Sequence, residues 1–391
     1  MSRSPSGSEP SKRSPASLAF LVESAELARG GAERASLTMA RELARRGIEA
    51  GLVAPADRGG DPALVDGVRL ERFEIQARGR AARARELAER AAVVARERGF
   101  ERLVSCGKIL GGELWWPHGG VHARARAASV AAGRGPLRAG LAALGRRLRP
   151  VERVFDAIES ELHATIRSGQ ARALAISEMV RRDMAALGLE ATVLRNGCAV
   201  AGPGAPASDG ERAGLRERFA TELGLDPARC WWLFIAMNPR LKGLGRLTRA
   251  LDRGSRASDA RPLILGVGAD MTSSASADFR ALGFRDDLPA LLAASDGLVL
   301  PTHYDPCSLV TLEAMAAGRA IITTANNGAA ELLEPGVSVE LVEAVEELAS
   351  SLARLSADGS GREAMGAAAR AAAARWTVED AGDALLAASA G

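Results

Sequence analysis

The chain has 391 residues, of which 47% are hydrophobic and 25% are charged, a composition typical of a folded soluble protein. This length exceeds that of one common domain, so we expect two. A net charge of +3 and an aromatic content of 4% give no sign of a nucleic-acid partner and argue against a platform that stacks unpaired bases.

The chain begins with a polar stretch rich in proline and serine, which predicts a disordered tail over 1–17 and contains no apolar signal core. Apolar runs at 18–23 and 48–53 flank a helical pattern, and strand, helix and strand in this order indicate a βαβ unit. The pair Gly30 and Gly31 at the helix entry allows a ligand to approach the backbone, although the pair lacks the G-x-G-x-x-G spacing of a dinucleotide site.

Further apolar runs alternate with helical patterns along the rest of the chain, and a segment rich in Gly, Pro, Ala and Ser follows residue 198 as a linker. We therefore predict two doubly wound α/β domains, over 18–196 and from 197 onward, with a ligand cleft between them. The strands are predicted at 102–105, 173–177, 191–194, 231–237, 262–268, 297–301 and 320–324.

The most informative segment runs from 297 to 324, where a strand, an irregular loop and a helix follow one another. The helix is predicted to begin near Cys307 or Ser308, and its first amides and dipole can hold a phosphate. Asp305 lies in front of that end and Glu313 one turn inside, and carboxylates suit the recognition of sugar hydroxyls. The alternative is that Asp305 only forms a turn and Glu313 is a solvated helix residue.

Two cations follow the strongly apolar strand at 231–237. Arg240 and Lys242 are placed to neutralise a diphosphate and to stabilise it as a leaving group. Lys242 is one of only three lysines, which favours a function over the alternative of two solvated surface cations.

The histidines and cysteines are candidate cleft residues, metal ligands or nucleophiles. His118, in PHGGVH, is either a cleft residue or a buried, hydrogen-bonded imidazole. His118 and His122 have no third ligand at metal spacing, and no D-x-D motif is present, so no metal is expected. Cys307 has no activating histidine, and four scattered cysteines without CxxC spacing indicate a reducing cytoplasm.

A basic amphipathic segment between His122 and Arg153 has leucines at helical spacing on one side. It indicates a surface for anionic lipid or a phosphorylated glycolipid, with an ordinary solvated helix as the alternative. Its arginines are Arg124, Arg126, Arg134, Arg138, Arg146, Arg147, Arg149 and Arg153, against the single acid Glu152.

The D-x7-E arrangement of Asp305 and Glu313 resembles the E-x7-E signature of the retaining family 4 glycosyltransferases. That family has the GT-B fold and includes lipopolysaccharide core glucosyltransferases, and HGGVH at 118–122 looks most like the subgroup with lipopolysaccharide-type acceptors. The resemblance extends through GGAER at 30–34, SEMVRRDM at 177–184, NPRLKGL at 238–244, FRALGFRDDLPALLAASD at 279–296 and NGAAE at 327–331.

The resemblance implies a role for each matching residue, although aspartate at 305 reaches one methylene less far than the usual glutamate. His118 would contact the donor sugar from the N-terminal domain, and residues 376–391 would form a helix that packs back on that domain. In the C-terminal domain over 197–375, Arg240 and Lys242 would bind the phosphates, Glu313 the ribose, and Arg285 the base through its backbone. Asp305 would bind the sugar and diphosphate together with the amides of Cys307, Ser308 and Leu309. In the N-terminal domain, Gly30 and Gly31 would form the first glycine loop.

The sequence therefore predicts a retaining, metal-independent hexosyltransferase. Its donor would be UDP-glucose and its acceptor a lipopolysaccharide core or another lipid-linked glycan, with no cofactor beyond the nucleotide sugar. Such a protein would be cytoplasmic, with peripheral contact to the inner face of the membrane. The alternatives are a GDP-mannose-dependent mannosyltransferase, a catalytically silent nucleotide-sugar-binding module, and a phosphorylase or epimerase on the same fold.

Overall fold

The computed structural model describes residues 15–26, 31–58, 67–132, 149–199, 208–254, 262–269, 271 and 276–390. Gly30, the linker at 200–207 and most of the tail lie outside these residues, as do Arg134, Arg138, Arg146 and Arg147 of the basic segment.

The N-terminal half is built on a seven-stranded parallel sheet in the order β3-β2-β1-β4-β5-β6-β7. Ser17 of the first strand lies opposite Glu49 of the second, and Leu18 lies opposite Arg102 of the fourth. The strands are β1 Ser17–Leu21, β2 Glu49–Pro55, β3 Arg69–Phe73, β4 Arg102–Ser105, β5 Leu114–Trp115, β6 Arg172–Ala175 and β7 Ala191–Val193.

The C-terminal half is built on a six-stranded parallel sheet in the order β10-β9-β8-β11-β12-β13. Helices cover the sheets of α/β proteins on both faces, so their central strands are apolar throughout, and Trp231, Trp232 and Phe234 are fully buried here. The strands are β8 Cys230–Ala236, β9 Pro262–Gly268, β10 Phe279–Gly283, β11 Gly297–Leu300, β12 Ala320–Thr323 and β13 Glu340–Leu341.

Helices connect the strands and pack on the sheets, and the last one packs against the first. The described helices are α1 Gly31–Arg45, α2 Arg80–Glu97, α3 His122–Ala131, α4 Pro150–Arg167, α5 Glu178–Ala185, α6 Asp209–Leu223, α7 Leu244–Gly254, α8 Leu288–Ala294, α9 Leu309–Ala316, α10 Val345–Ala357, α11 Gly359–Ala373 and α12 Val378–Ser389.

The chain passes between the two halves at two places that touch each other. The amide of Cys198 donates a hydrogen bond to the carbonyl of Trp376 at 2.9 Å. A Cβ atom on Gly197 would lie 2.3 Å from the carbonyl oxygen of Thr377, so only glycine fits at this contact.

Four strands are absent from the sequence prediction. None of β3, β5, β13 and β10 Phe279–Gly283 is among the strands predicted from the sequence. β3 and β10 are polar edge strands that carry Arg69, Arg72 and Arg280, so neither shows the apolar run by which the buried strands were recognised.

Strand order places a topological switch point in each sheet. β1 lies between β2 and β4, and β8 lies between β9 and β11, so the connections leaving the central strands diverge there. Ligands of open α/β sheets bind beyond the carboxyl ends of the strands at this point. The chain leaving β8 carries Arg240 and Lys242, and the chain leaving β11 carries Asp305.

Candidate functional site between the two sheets

The loop after β11 is fixed on both sides by backbone hydrogen bonds. The amide of His303 donates to the carbonyl of Leu241 at 2.8 Å. The amide of Asp305 donates to the backbone carbonyl of Asn326 at 2.9 Å. The carbonyl of Asp305 accepts from the amide of Gly328 at 2.8 Å, and the Asp305 side chain is 6% exposed. The loop therefore holds a buried carboxylate in a fixed place.

Helix α9 begins next to this carboxylate. Ser308 is its N-cap, and the Ser308 hydroxyl accepts a hydrogen bond from the amide of Thr311 at 3.4 Å. The Ser308 amide, which the sequence interpretation assigns to a donor phosphate, already donates to Oδ1 of Asn327 at 3.4 Å. Asn327 is itself held, because its Nδ2 donates to the Thr311 hydroxyl at 2.9 Å. Leu309, the first residue of the helix, is only half-buried.

The two cations after β8 each have a partner. Lys242 forms an ion pair with the Asp305 carboxylate, and its side chain is 23% exposed. Gly243 makes this approach possible, because at φ +91° it packs so closely on Pro301 that a Cβ would lie 2.0 Å from the Pro301 oxygen. Arg240 donates from Nη2 to the carbonyl of Ser129 at the end of α3, at 2.7 Å. The predicted cation pair therefore lies at the cleft.

Glu313 faces the N-terminal half of the molecule. Its carboxylate pairs with Arg34 in the first turn of α1. Burial raises the pKa of Glu313, and the Arg34 charge opposes that rise. Gly31 also faces this helix, since a Cβ at Gly31 would lie 3.8 Å from Cδ1 of Leu309. Arg34 was missed as a site residue: it lies in the motif GGAER, but its guanidinium was given no role.

His118 follows β5 in the N-terminal half and is half-buried. Its ring lies 4.3 Å from the Trp116 ring, centroid to centroid. Burial lowers its pKa to about 4, although the Cys106 and Trp116 backbones and the Asn196 side chain oppose that shift. Among the described residues, neither ring nitrogen makes a hydrogen bond of ordinary geometry. The imidazole is therefore neutral near pH 7, and because both ring nitrogens are buried, a ligand hydroxyl would reach them only after a local rearrangement.

His122, the second histidine of the motif, contacts two carboxylates of helix α4. Its Nε2 lies 3.2 Å from Oε2 of Glu152, and its amide donates to Glu159 at 2.7 Å. Within the described part of the chain, no group of three or more His, Cys, Asp or Glu side chains is arranged to hold a metal ion.

A cavity of about 220 Å³ opens at the switch point of the N-terminal sheet. An indole ring and a proline form its apolar walls, while three carboxylates and one ammonium group supply its charges. Its lining includes Val22, Glu23, Glu33, Cys106, Lys108, Trp115, Pro117, Gly120 and Glu159. An aromatic wall with carboxylates around it suits a polyhydroxylated ring.

Arg285 lies at the turn before α8. Its guanidinium donates to both oxygens of Asp287 at 2.7 Å and to Glu222 at 2.8 Å, so the side chain is fixed within the protein. Phe284 beside it is 58% exposed. The turn can therefore offer backbone groups and an exposed aromatic ring to a planar ligand.

The basic segment is partly neutralised within the molecule. Arg124 pairs with Asp183 and Arg126 with Asp156, each at 2.8 Å. Helix α3 buries none of its residues. These two arginines are therefore less available to an anionic surface than the sequence pattern suggested. In the described part of the chain, no helix has the length and apolarity needed to cross a bilayer.

Cys307 is buried directly before the N-cap of α9. Burial raises the pKa of its thiol to about 12, and the nearby Asp305 charge adds to that rise. The thiol is therefore protonated at neutral pH and is not a nucleophile.

The second half of the chain matches a known protein family. Residues 230–358 match the family described as Glycosyl transferases group 1. The glycogen synthase of Mycobacterium tuberculosis is 32% identical over 148 residues, which cover 32% of this chain and 35% of the synthase. The chain thus matches only about a third of the length of this curated relative.

Solved structures match over nearly the whole chain. WaaG, a glycosyltransferase involved in lipopolysaccharide biosynthesis, superimposes with a TM-score of 0.72 at 19% identity, covering 96% of this chain and 100% of WaaG. HepE of Anabaena, in complex with UDP and glucose, superimposes with a TM-score of 0.66 at 19% identity, covering 95% and 98%. The GT-B fold predicted from the sequence is confirmed.

Proposed function

Because residues 230–358 form a group 1 glycosyltransferase domain within a GT-B fold, we propose that the protein transfers a hexose from a nucleotide diphosphate sugar to a glycan acceptor. We further propose UDP-glucose as the donor and a lipopolysaccharide-core or other lipid-linked glycan as the acceptor. HepE was solved with UDP and glucose, and WaaG acts in lipopolysaccharide biosynthesis, which supports these choices.

One observation carries the proposal: the loop and the helix that follow β11 contribute two carboxylates, and each of them is paired with a cation. Lys242 pairs with Asp305, and Arg34 pairs with Glu313, so these charges neutralise one another within the protein. A nucleotide diphosphate sugar carries phosphates for Lys242 and hydroxyls for the carboxylates. The phosphates and hydroxyls of such a donor can therefore replace the ion pairs that these side chains form with one another.

The chemistry would rest on charge stabilisation. As the glycosidic bond to the diphosphate breaks, negative charge develops on the phosphate oxygen, and Lys242 and Arg240 are the cations placed to stabilise it. The leaving oxygen can take the proton of the acceptor hydroxyl on the same face, so retention needs no dedicated base. His118, neutral near pH 7, would hold a sugar hydroxyl by a hydrogen bond.

We place the acceptor in the cavity of the N-terminal half. Three carboxylates, those of Glu23, Glu33 and Glu159, face a single ammonium group there, that of Lys108. This charge balance favours neutral sugar hydroxyls over phosphates in the cavity. Any phosphate of the acceptor would then lie outside it.

Donor binding is tested first. We expect UDP-glucose at about one hundred times its Kd to add about 2.7 kcal/mol to the free energy of unfolding of the wild-type protein. Glu313→Ala should remove most of this gain, because the carboxylate assigned to the ribose is lost. The measurement is thermal unfolding with UDP-, GDP-, ADP- and CMP-sugars.

The choice of ligands also separates the alternatives. A shift with GDP-mannose alone would indicate a mannosyltransferase, and a shift without turnover on any acceptor would indicate a silent binding module. Equal shifts in the wild type and Glu313→Ala would contradict the assignment of Glu313. No shift with any nucleotide sugar would contradict the donor site itself.

Retention and metal independence are tested on the product. We expect the new linkage to keep the anomeric configuration of the donor, as measured by the proton coupling constant at the anomeric carbon. Activity should be unchanged by EDTA, since the leaving charge is assigned to Lys242 and Arg240. An inverted product, or activity restored only by a divalent cation, would contradict this mechanism.

A further inference from the structure

Tyr304, the single tyrosine of the chain, lies directly before Asp305 in the loop that follows β11. Its side chain is buried, at 6% exposure. Its hydroxyl leaves the C-terminal half and donates a hydrogen bond to Oδ2 of Asp183 on helix α5, at 3.1 Å. The phenol therefore joins the two halves of the molecule at the edge of the cleft.

Asp183 is a fixed anchor for this contact. The residue is 8% exposed, and its second oxygen accepts from Nε of Arg124 on α3 at 2.8 Å. A buried carboxylate with one neutral and one charged donor has little freedom to move. Asp183 thus connects Tyr304 to both α5 and α3.

Helix α5 is held by the C-terminal half at its other end as well. The carboxylate of Glu331 accepts hydrogen bonds from the amides of Glu178 and Met179, at 2.7 and 2.6 Å. These amides are in the first turn, which has no intrahelical acceptors for them. Glu331 therefore caps α5 across the interface and keeps Asp183 in register with Tyr304.

The phenol also packs on the loop that carries His118. Gly120 adopts φ +67°, and a Cβ there would lie 2.3 Å from the Tyr304 hydroxyl oxygen and 2.9 Å from Pro306. The Val121 backbone faces the same hydroxyl and acts on its pKa in the opposite sense to Asp183. No space separates the His118 loop from the Asp305 loop at this point.

We propose that Tyr304 is a positioning residue that holds the His118 loop and the Asp305 loop in register across the cleft, with Asp183 as its anchor. This inference rests on the proposed function, because the two loops carry the groups assigned to the donor sugar. The simpler alternative is that Tyr304 fills the interface and contributes only to stability. The two differ in what happens to turnover when the hydroxyl alone is removed.

Steady-state kinetics of four variants separate them. Because small misplacements of reacting groups are costly, we expect Tyr304→Phe to lower kcat about 10- to 100-fold with the donor KM changed less than about threefold. Asp183→Ala should lower kcat at least as much, because it also removes the contact with Arg124, and the double variant should be no worse than Asp183→Ala alone. Asp183→Asn keeps an oxygen acceptor and should restore most of the activity.

A spectroscopic measurement tests the contact without substrate. The only tyrosine, replaced by 3-fluorotyrosine, gives a single ¹⁹F resonance from this position. We expect that resonance to move toward the frequency of a solvated fluorotyrosine in Asp183→Ala and to stay near the wild-type value in Asp183→Asn.

Each outcome has one meaning. Wild-type kcat in Tyr304→Phe, or additive losses in the double variant, would overturn the inference while the proposed function stood. An unchanged ¹⁹F resonance in Asp183→Ala would overturn it as well. A wild-type protein that neither binds nor turns over any nucleotide sugar would contradict the proposed function, whatever the ¹⁹F result.

Discussion

Replacing Lys242 by alanine is expected to lower kcat/KM for the nucleotide sugar about 100- to 1000-fold, the range for losing one group that stabilises developing negative charge. In the proposed mechanism, the diphosphate leaves with its charge close to this ammonium group. Lys242→Arg keeps the charge and should retain a measurable part of the activity. The measurement is initial-rate kinetics with a fixed acceptor.

Lys242→Ala should also destabilise the protein when no ligand is added. Asp305 is 4% exposed and would lose its cation, so we expect the free energy of unfolding to fall by about 1–3 kcal/mol. Adding Asp305→Asn removes the unpaired charge and should recover stability but not activity. Urea unfolding of the single and double variants measures this difference.

A surface cation in the same half provides the matched control. Arg253 at the end of α7 pairs with Glu346, and both side chains are more than half exposed. Arg253→Ala should change stability by no more than about 0.5 kcal/mol and should leave turnover unchanged. If Lys242→Ala behaves like this control, the assignment of Lys242 to the diphosphate is wrong.

His118→Ala is expected to lower kcat about 100-fold, because the site loses a fixed hydrogen-bonding group next to the reacting sugar. His118→Asn retains a donor and an acceptor and should lose less. Substrate affinity should change little in either variant, since the phosphates carry most of the donor's charge. Equal kcat values in the wild type and His118→Ala would contradict a role at the reacting centre.

The lowered pKa of His118 predicts that the stability of the protein depends on pH. Its pKa is about 4 in the folded protein and 6.5 in the unfolded chain, so between these values only the unfolded chain binds the proton. The contribution of His118 to the free energy of unfolding is therefore complete above pH 6.5. Up to about 3 kcal/mol of it is lost as the pH falls toward 4. His118→Asn should flatten that part of the curve in urea unfolding measured from pH 7 to 4. His163 and His303, whose pKa values are also lowered by burial, continue to contribute.

The buried parts of the fold could be predicted from local sequence. β9 Pro262–Gly268 and β4 Arg102–Ser105 fall at the predicted residues because a strand buried on both faces is a continuous apolar run. β3, with the sequence RLERF, carries charge on an edge strand, so no apolar run marks it. Edge strands take their structure from the neighbouring strand, which lies elsewhere in the chain.

The candidate site also has a part that local sequence predicts and a part that it does not. Asp305, Glu313 and Lys242 follow strands of one sheet, so parallel strand order alone brings them to one edge. Arg34 meets Glu313 at a separation of 279 residues, and Tyr304 meets Asp183 at a separation of 121. Pairs between the two halves depend on how the halves are oriented, and no local pattern encodes that orientation. They were therefore found only in the structure.

The contact between the two chain crossings has a mechanical consequence. The amide of Cys198 is hydrogen-bonded to Trp376, and Gly197 lies against Thr377. The two crossings therefore act as one pivot and not as two independent connections. Turning of the two halves about this pivot would also break the contacts of Tyr304 with Asp183 and of Arg34 with Glu313 across the cleft. A small backbone rotation near Gly197 displaces residues at the cleft mouth in proportion to their distance from the pivot. Ångström-scale opening of the mouth therefore requires only a minor backbone change at the pivot.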